Sequence, residues 1–219
     1  QLQLNKISGT EGLSQNTVRS IIQDSNGFIW VGTYNGINKY DGYSMVHYKF
    51  LNDVNSLSSN IIISLFEDKD GYIWAGTTNA GLNRIDPRTG KIEVYFDDPN
   101  ALDYASEIDH IYQSSSGVLF IKTSKGIKFF RVAVDGSIIF EDVKNRVDNF
   151  SLRIKNIIPA LNGKHWFFTP ENNIKLHLAE INEITNVPDI KIQSTDIKAF
   201  EFDSSYPVNF IEYPKNTIW

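Results

Sequence analysis

Asp68-Lys69-Asp70-Gly71-Tyr72-Ile73-Trp74-Ala75-Gly76-Thr77 decides the fold, because it is the second appearance of one pattern. Residues 24–33 read Asp24-Ser25-Asn26-Gly27-Phe28-Ile29-Trp30-Val31-Gly32-Thr33. Each copy follows an apolar-alternating run and precedes a Gly-rich turn and a second short strand. A unit recurring with a period of about 20–50 residues marks a repeat architecture, in which each copy buries its apolar face against the next. The chain therefore reads as successive copies of this unit.

In the first copy, Val18, Ser20 and Ile22 alternate with their neighbours to give a strand A. Asp24-Ser25-Asn26-Gly27 then turns, with glycine supplying the positive φ of a hairpin. Residues 28–33 form strand B, with Trp30 and Gly32 on one face. Tyr34-Asn35-Gly36 turns again, 37–40 is strand C, Asp41-Gly42 is a third turn, and 44–50 is strand D. Four antiparallel strands in about 44 residues match one propeller blade in length. In the second copy Leu57-Ser58-Ser59-Asn60 answers Leu13-Ser14-Gln15-Asn16, and strands fall at 61–67, 72–77 and 91–96. After one inserted residue, Gly81-Leu82-Asn83-Arg84-Ile85-Asp86 answers residues 36–41 and supplies strand C. The third copy has strands at 108–114 and 118–123, with Phe120 in the Trp place, a third led by Gly126, and a fourth from Gly136 to Val143. The fourth has strands at 154–161, 166–169, 174–178 and 190–193, with an Asn162-Gly163 turn and Trp166. Residues 197–202 extend its last strand or form an insertion. The turn glycines Gly27, Gly71, Gly117 and Gly163 lie 44, 46 and 46 positions apart.

The expected class is all-β: an incomplete β-propeller of four-stranded antiparallel blades, about four of them plus the start of a fifth. Residues 1–11 hold a lone N-terminal strand that would complete the last blade and close the ring, since sheet edges need cover. The blades are expected at 12–56, 57–103, 104–149 and 150–204, and 205–219 restarts the unit. Stopping part-way through a strand reads as a fragment of something longer. An uncovered blade face of roughly 500 Å² forgoes about 12 kcal/mol at ~25 cal/mol/Å², against the about 5–15 kcal/mol that holds a whole domain folded.

Composition narrows the chemistry. A net charge of -5 with no basic run gives nucleic acid little to hold. Without cysteine there is no disulfide, thiol nucleophile or Cys-ligated metal. No apolar stretch approaches the ~18–20 residues of a membrane span, and no signal peptide is visible. The high aromatic content suits strands and a sugar-binding surface alike.

The repeated residues read as scaffold. Trp30, Trp74 and Trp166 sit on strand B, where a large ring acts as a wedge between blades rather than a sugar platform. Asp68-Lys69-Asp70-Gly71 faintly resembles the start of a calcium loop, but the later ligands and closing Glu are absent, so it reads as a polar hairpin turn. No metal site is expected: His47, His110, His165 and His177 lie on different strands with no i,i+4 pair. Nor are catalytic residues: the acidic pairs Asp97-Asp98 and Glu141-Asp142 are sequence neighbours, which in a strand point to opposite faces.

In propellers the loops leading into strand A and joining B to C share one face. Here they carry Gln15, Asn16, Tyr34 and Asn35, then Ser59, Asn60, Thr78 and Asn79, then Ser124 and Lys125, then Glu171 and Asn172. Amides, hydroxyls and an aromatic ring suit a neutral sugar, whose hydroxyls donate and accept, although Asn and Gly also populate turns for backbone reasons. Arg19 on strand A is placed to reach the channel and hold an acidic sugar. The ligand-binding candidates are Asn16, Arg19, Tyr34, Asn35, Asn60, Thr78, Asn79 and Lys125. No cofactor is expected.

The Gly-x-Ile-Trp-x-Gly-Thr stretch followed by Gly-Leu-Asn-Arg-Ile-Asp, with Gly12-Leu13-Ser14 near the start, resembles two-component regulator propeller repeats. These fill the periplasmic sensor half of Bacteroides-type hybrid two-component systems. The likeness is strong over residues 12–100 and fades into phase alone beyond. It implies an extracytoplasmic sensor of a glycan-derived oligosaccharide, working as a homodimer. A membrane helix, a histidine kinase and a DNA-binding response regulator would lie outside this chain, which would touch no nucleic acid itself. The rival expectations are a propeller enzyme acting on polysaccharide, a lyase or hydrolase, and a propeller that docks proteins.

Overall fold

The computed structural model describes residues 7–96, 107–113, 117–123 and 126–141, and beyond them the backbone pairing of further strands. Of the expected N-terminal strand in residues 1–11, residues 1–6 lie outside the described residues, as does the segment 197–202, and Gly9–Glu11 form a 3-10 helical turn instead of strand. Two compact units are present: Gln1–Ile111 with Thr123–Lys125, and Tyr112–Lys122 with Gly126–Trp219.

The first blade has β1 (Val18–Gln23), β2 (Ile29–Thr33), β3 (Gly36–Tyr40) and β4 (Met45–Tyr48), paired antiparallel in chain order. The second repeats it with β5 (Ile62–Glu67), β6 (Ile73–Thr77), β7 (Leu82–Ile85) and β8 (Ile92–Tyr95). A third sheet holds β9 (Ile108–Gln113), β10 (Leu119–Thr123), β11 (Gly126–Val132) and β12 (Ile138–Glu141). A fourth holds β13 (Asn156–Pro159), β14 (His165–Thr169), β15 (Lys175–Asn182) and β16 (Asp189–Asp196), and β17 (Glu212–Tyr213) pairs with β18 (Thr217–Ile218). The chain is thus all-β, in the up-and-down four-stranded sheets of propeller blades.

Several strand lengths differ from the sequence reading. Strand D of the first blade starts at Met45 rather than Ser44 because Asp41 Oδ1 accepts hydrogen bonds from the Tyr43 and Ser44 amides, holding a turn there. In the fourth sheet β15 and β16 pair from Lys175↔Asp196 out to Asn182↔Asp189, well past the expected strands. Backbone pairing there continues through Glu180 and Asn182, where the hydrophobic pattern has lapsed.

A shared aspartate builds each hairpin in the first unit. Asp24 Oδ1 accepts from the amides of Asn26 and Phe28 at 3.0 and 2.9 Å, and Oδ2 accepts from Trp30 Nε1 at 2.8 Å. Asp68 does the same with Asp70, Tyr72 and Trp74 at 2.9, 2.9 and 2.7 Å. Both carboxylates and both indoles are buried. A buried indole N–H needs an acceptor, so one side chain closes the turn and satisfies the wedge. At the same place the third copy has Ser114 with Phe120, a ring with no N–H to satisfy. Each wedge stacks on an aromatic: Trp30 on Tyr48 at 5.5 Å, Trp74 on Tyr95 at 5.7 Å and, in the second unit, Phe120 on Tyr112 at 5.4 Å. In the fourth sheet Trp166 pairs with Ile158 and Leu178, the register that Trp30 has with Ile22 and Lys39.

The two blades of the first unit meet through one core of Trp30, Ile37, Leu57, Ile62, Leu65, Ile73, Ala75, Ile85 and Ile92. Ile62 and Leu65 reach the bare backbone of Gly32, where a Cβ would lie 2.8 Å from Ile62 Cγ2. Gly76 likewise faces Ile108, where a Cβ would lie 2.6 Å from the Ile108 carbonyl oxygen. Ser20 Oγ accepts from the Leu65 amide at 3.1 Å, and Ser64 Oγ donates to the Ile108 carbonyl at 2.7 Å. The same seat and the same serine recur one blade on.

Candidate functional site

The turn residues that repeat are occupied in holding the blade ends. Asn38 Oδ1 accepts from the Ser14 amide at 2.8 Å, and Asn83 Oδ1 accepts from the Ser58 amide at 2.9 Å, pinning the loop that leads into each strand A. Thr33 and Thr77 donate to the carbonyls of Gly36 and Gly81 at 2.9 and 2.7 Å, closing each B–C turn. What varies between copies lies just outside this frame.

At one end of the first blade the residues that vary, Gln15, Arg19 and Tyr34, lie with the repeated Asn16, Asn35 and Asn60 around the β2–β3 turn. Val18 pairs with Thr33, so the start of β1 lies opposite the end of β2. The register then shifts to Ser20↔Gly32, leaving Arg19 as the extra residue of a β-bulge. Bulges bend a strand and re-aim a side chain. Arg19 is exposed and its guanidinium carbon stands 5.8 Å from the centre of the Tyr34 ring, itself 44% exposed. Asn35 Nδ2 donates to the Ser14 carbonyl at 3.1 Å, which brings the loop before β1 to the turn. Asn16 Oδ1 accepts from the Gly9 amide at 2.9 Å, and Gln15 Oε1 accepts from the Thr17 amide. From the second blade, the Asn60 carbonyl accepts from the Gly36 amide at 2.7 Å, and Asn60 Oδ1 accepts from the Phe50 amide at 2.9 Å. Five expected site residues, Asn16, Arg19, Tyr34, Asn35 and Asn60, are therefore neighbours around one turn.

The remaining three stand apart. Thr78 and Asn79 belong to the equivalent turn of the second blade, where the Thr78 amide donates to the Ile61 carbonyl at 3.3 Å. Asn79 has φ +58°, a left-handed conformation that Asn adopts more readily than most residues, so its identity has a backbone reason. Lys125 lies outside the described residues.

Beside the five, Glu11 binds its own turn. Ser8 Oγ at 2.5 Å, Thr10 Oγ1 at 2.8 Å and the Ser8 amide at 2.8 Å all donate to its carboxylate. Its pKa is lowered to about 2, chiefly by the Ser8 hydroxyl.

One cluster escaped the sequence reading. Arg84 faces Glu93 at 3.4 Å and lies 3.6 Å over the Tyr72 ring, while Lys91 reaches the same carboxylate at 2.8 Å. The Lys91 hydrogen bond, above all, lowers the Glu93 pKa. Burial, then Glu93, pushes the Tyr95 hydroxyl up to about 12. Arg84 and Glu93 pair across β7 and β8, so opposite charges on facing strands were the signal. Among the described residues no group of three or more His, Cys, Asp or Glu is arranged to hold a metal ion, and no helix is long and apolar enough to cross a membrane.

Residues 12–35 and 56–79 each match the two-component regulator propeller repeat. Among solved structures, the chain is similar to an extracellular domain assigned to the hybrid two-component system BT3049 of B. thetaiotaomicron, with 23% identity and TM-score 0.56 over 98% of this chain and 33% of that one. It is also similar to the corresponding domain of BT4673 from the same organism, with 20% identity and TM-score 0.69 over 94% and 27%. Virginiamycin B lyase from Staphylococcus aureus shares the fold as well, with 18% identity and TM-score 0.61 over 93% and 62%. This chain therefore spans a third or less of the two extracellular domains. No curated protein matches it.

Proposed function

We propose, from the premise that its first two blades are two-component regulator propeller repeats, that this chain is the ligand-sensing propeller of a hybrid two-component regulator. The repeat match over residues 12–35 and 56–79 carries the proposal, and the shared fold with two extracellular domains of such systems supports it. On this reading the chain works in the periplasm. The turn around Tyr34 binds a glycan-derived oligosaccharide, and binding changes the geometry of neighbouring domains or of a homodimer. The signal passes through a membrane helix to a histidine kinase, both outside these residues. The blades bind and transmit, and carry no reaction themselves.

The chemistry of the turn supports a sugar. An exposed aromatic ring offers its face to the apolar side of a pyranose, and the carboxamides and guanidinium beside it offer hydrogen bonds to hydroxyls. The deciding experiment is autophosphorylation of the full-length protein in proteoliposomes across a panel of oligosaccharides. One sugar class should change phosphorylation and raise the melting temperature of the sensor together. Phosphorylation indifferent to every oligosaccharide would defeat the proposal.

The fold shared with a lyase leaves room for a second reading, an enzymatic propeller, here taken as one acting on polysaccharide. Release of new reducing or unsaturated ends from polysaccharide by the purified protein would favour it. A pull-down partner in the absence of any glycan-induced thermal shift would instead favour a docking propeller.

A further inference from the structure

We infer that the group recognised at the β2–β3 turn of the first blade is a carboxylate, so that the ligand is a uronic acid-bearing oligosaccharide; this rests on the sensing role proposed above. The reason is which hydrogen-bonding groups the fold has already used. A backbone N–H can only donate, so the side-chain atom facing it must be the amide oxygen. Gln15, Asn16 and Asn60 each give that oxygen to a backbone amide, of Thr17, Gly9 and Phe50 respectively. Their NH₂ groups have no partner among the described residues. Arg19 likewise makes no ion pair or hydrogen bond there, and it adds a guanidinium that only donates. The Tyr34 hydroxyl is also unpartnered among the described residues. Asn35 is the exception, since its nitrogen is engaged by the Ser14 carbonyl.

A neutral sugar presents hydroxyls that donate and accept in equal measure, and a set of side chains dominated by donors leaves many of them unmatched. A carboxylate only accepts, through two oxygens spaced to meet the guanidinium fork. The cation–π contact with the Tyr34 ring leaves the guanidinium N–H groups for the ligand. The charge is no part of the repeat. At the same bulge in the second blade stands Ile63, which is buried. The anion already nearby, Glu11, is committed to Ser8 and Thr10.

The test is calorimetry on the full-length protein with two panels of short oligosaccharides: uronate-bearing (oligogalacturonate, alginate and unsulfated chondroitin) and neutral (galacto-, xylo- and manno-oligosaccharides). A uronate ligand should bind at least about tenfold tighter than its neutral counterpart, as expected for a charge-assisted hydrogen bond, and more weakly as salt rises. Arg19→Gln should remove that advantage with no change in melting temperature, and Arg19→Lys should restore only part of it. Asn16→Asp keeps the oxygen for the Gly9 amide but replaces the donor with a charge, so it should weaken uronate binding selectively. Neutral sugars binding as tightly as uronates, or Arg19→Gln leaving uronate affinity unchanged, would overturn the inference while leaving the sensing role intact. Binding of nothing in either panel would overturn both.

Discussion

The first strands of the two blades, β1 and β5, occupy the same place in the repeat yet have opposite surroundings. In β5, Ile62 is 0% and Leu65 7% exposed, whereas their counterparts in β1, Val18 and Ile21, are 38% and 62% exposed. Both strands carry the same bulge, and each is followed by a buried tryptophan held by an aspartate. The difference is the neighbour. β5 rests on the first blade, with Ile62 over Gly32 and the Leu65 amide on Ser20. The apolar pattern of strand A is thus a property of the repeat. Its burial is a property of what stands beside it, which is how repeat proteins divide stability between units and interfaces.

That contrast sets the largest expected effect. Leu65→Ala should destabilise the protein by about 2–5 kcal/mol through lost burial and a cavity. Ile21→Ala, the same change one blade earlier, should stay within about 0.5 kcal/mol as for an ordinary surface site. Urea unfolding of both variants checks it, and equal losses would show that β1 is as fully covered as β5.

A second comparison concerns how the wedge is held. Trp74→Phe keeps most of the packing but strands Asp68 Oδ2, a buried acceptor, at a cost of about 1–3 kcal/mol. Adding Asp68→Ser reproduces the Ser114 and Phe120 pair of the third copy and should recover part of the loss. A double-mutant cycle reads the coupling. Strictly additive losses would mean that the aspartate serves the turn alone.

The smallest effect is at the acid end. Asp86 has its pKa lowered to about 2, mainly by the hydrogen bond from Arg88, and Asp41 to about 2, mainly by the Ser44 amide. A carboxylate whose folded pKa is depressed stabilises the fold above its unfolded value, and that contribution is lost as pH falls through the folded value. The melting temperature should therefore drop between about pH 4 and about pH 2, and less steeply in Asp86→Asn. Asp41 is exposed and Asp86 only partly buried, its partner Arg88 being exposed, which keeps the change small.

How much was legible follows from what repeats. Every blade strand in the first unit falls within a residue or two of its expected place, because Gly27 and Gly71 fix the hairpins and the alternation around Trp30 and Trp74 fixes the faces. The long β15–β16 hairpin was not legible, since Glu180 and Asn182 in one strand and Ser194, Thr195 and Asp196 in the other break the apolar alternation that marks a strand. The candidate site was half legible. Asn16, Tyr34, Asn35 and Asn60 could be placed in loops of one face. That the side-chain amide oxygens of Gln15, Asn16 and Asn60 are used up by the amides of Thr17, Gly9 and Phe50 could not, because those partners are backbone atoms, which no side-chain pattern reports. Arg19 was visible as a charge in strand A, but the bulge that exposes it shows only in the register.

The central claim is a division of labour: the buried repeated residues hold the blades, and the residues around Tyr34, led by the unrepeated Arg19 and Tyr34, meet the ligand. Tyr34→Ala tests it most directly, measured for both melting temperature and calorimetric affinity toward whichever oligosaccharide activates the full-length protein. The account predicts an unchanged melting temperature and affinity weakened by about tenfold or more. Full affinity retained in a stably folded Tyr34→Ala protein would contradict it.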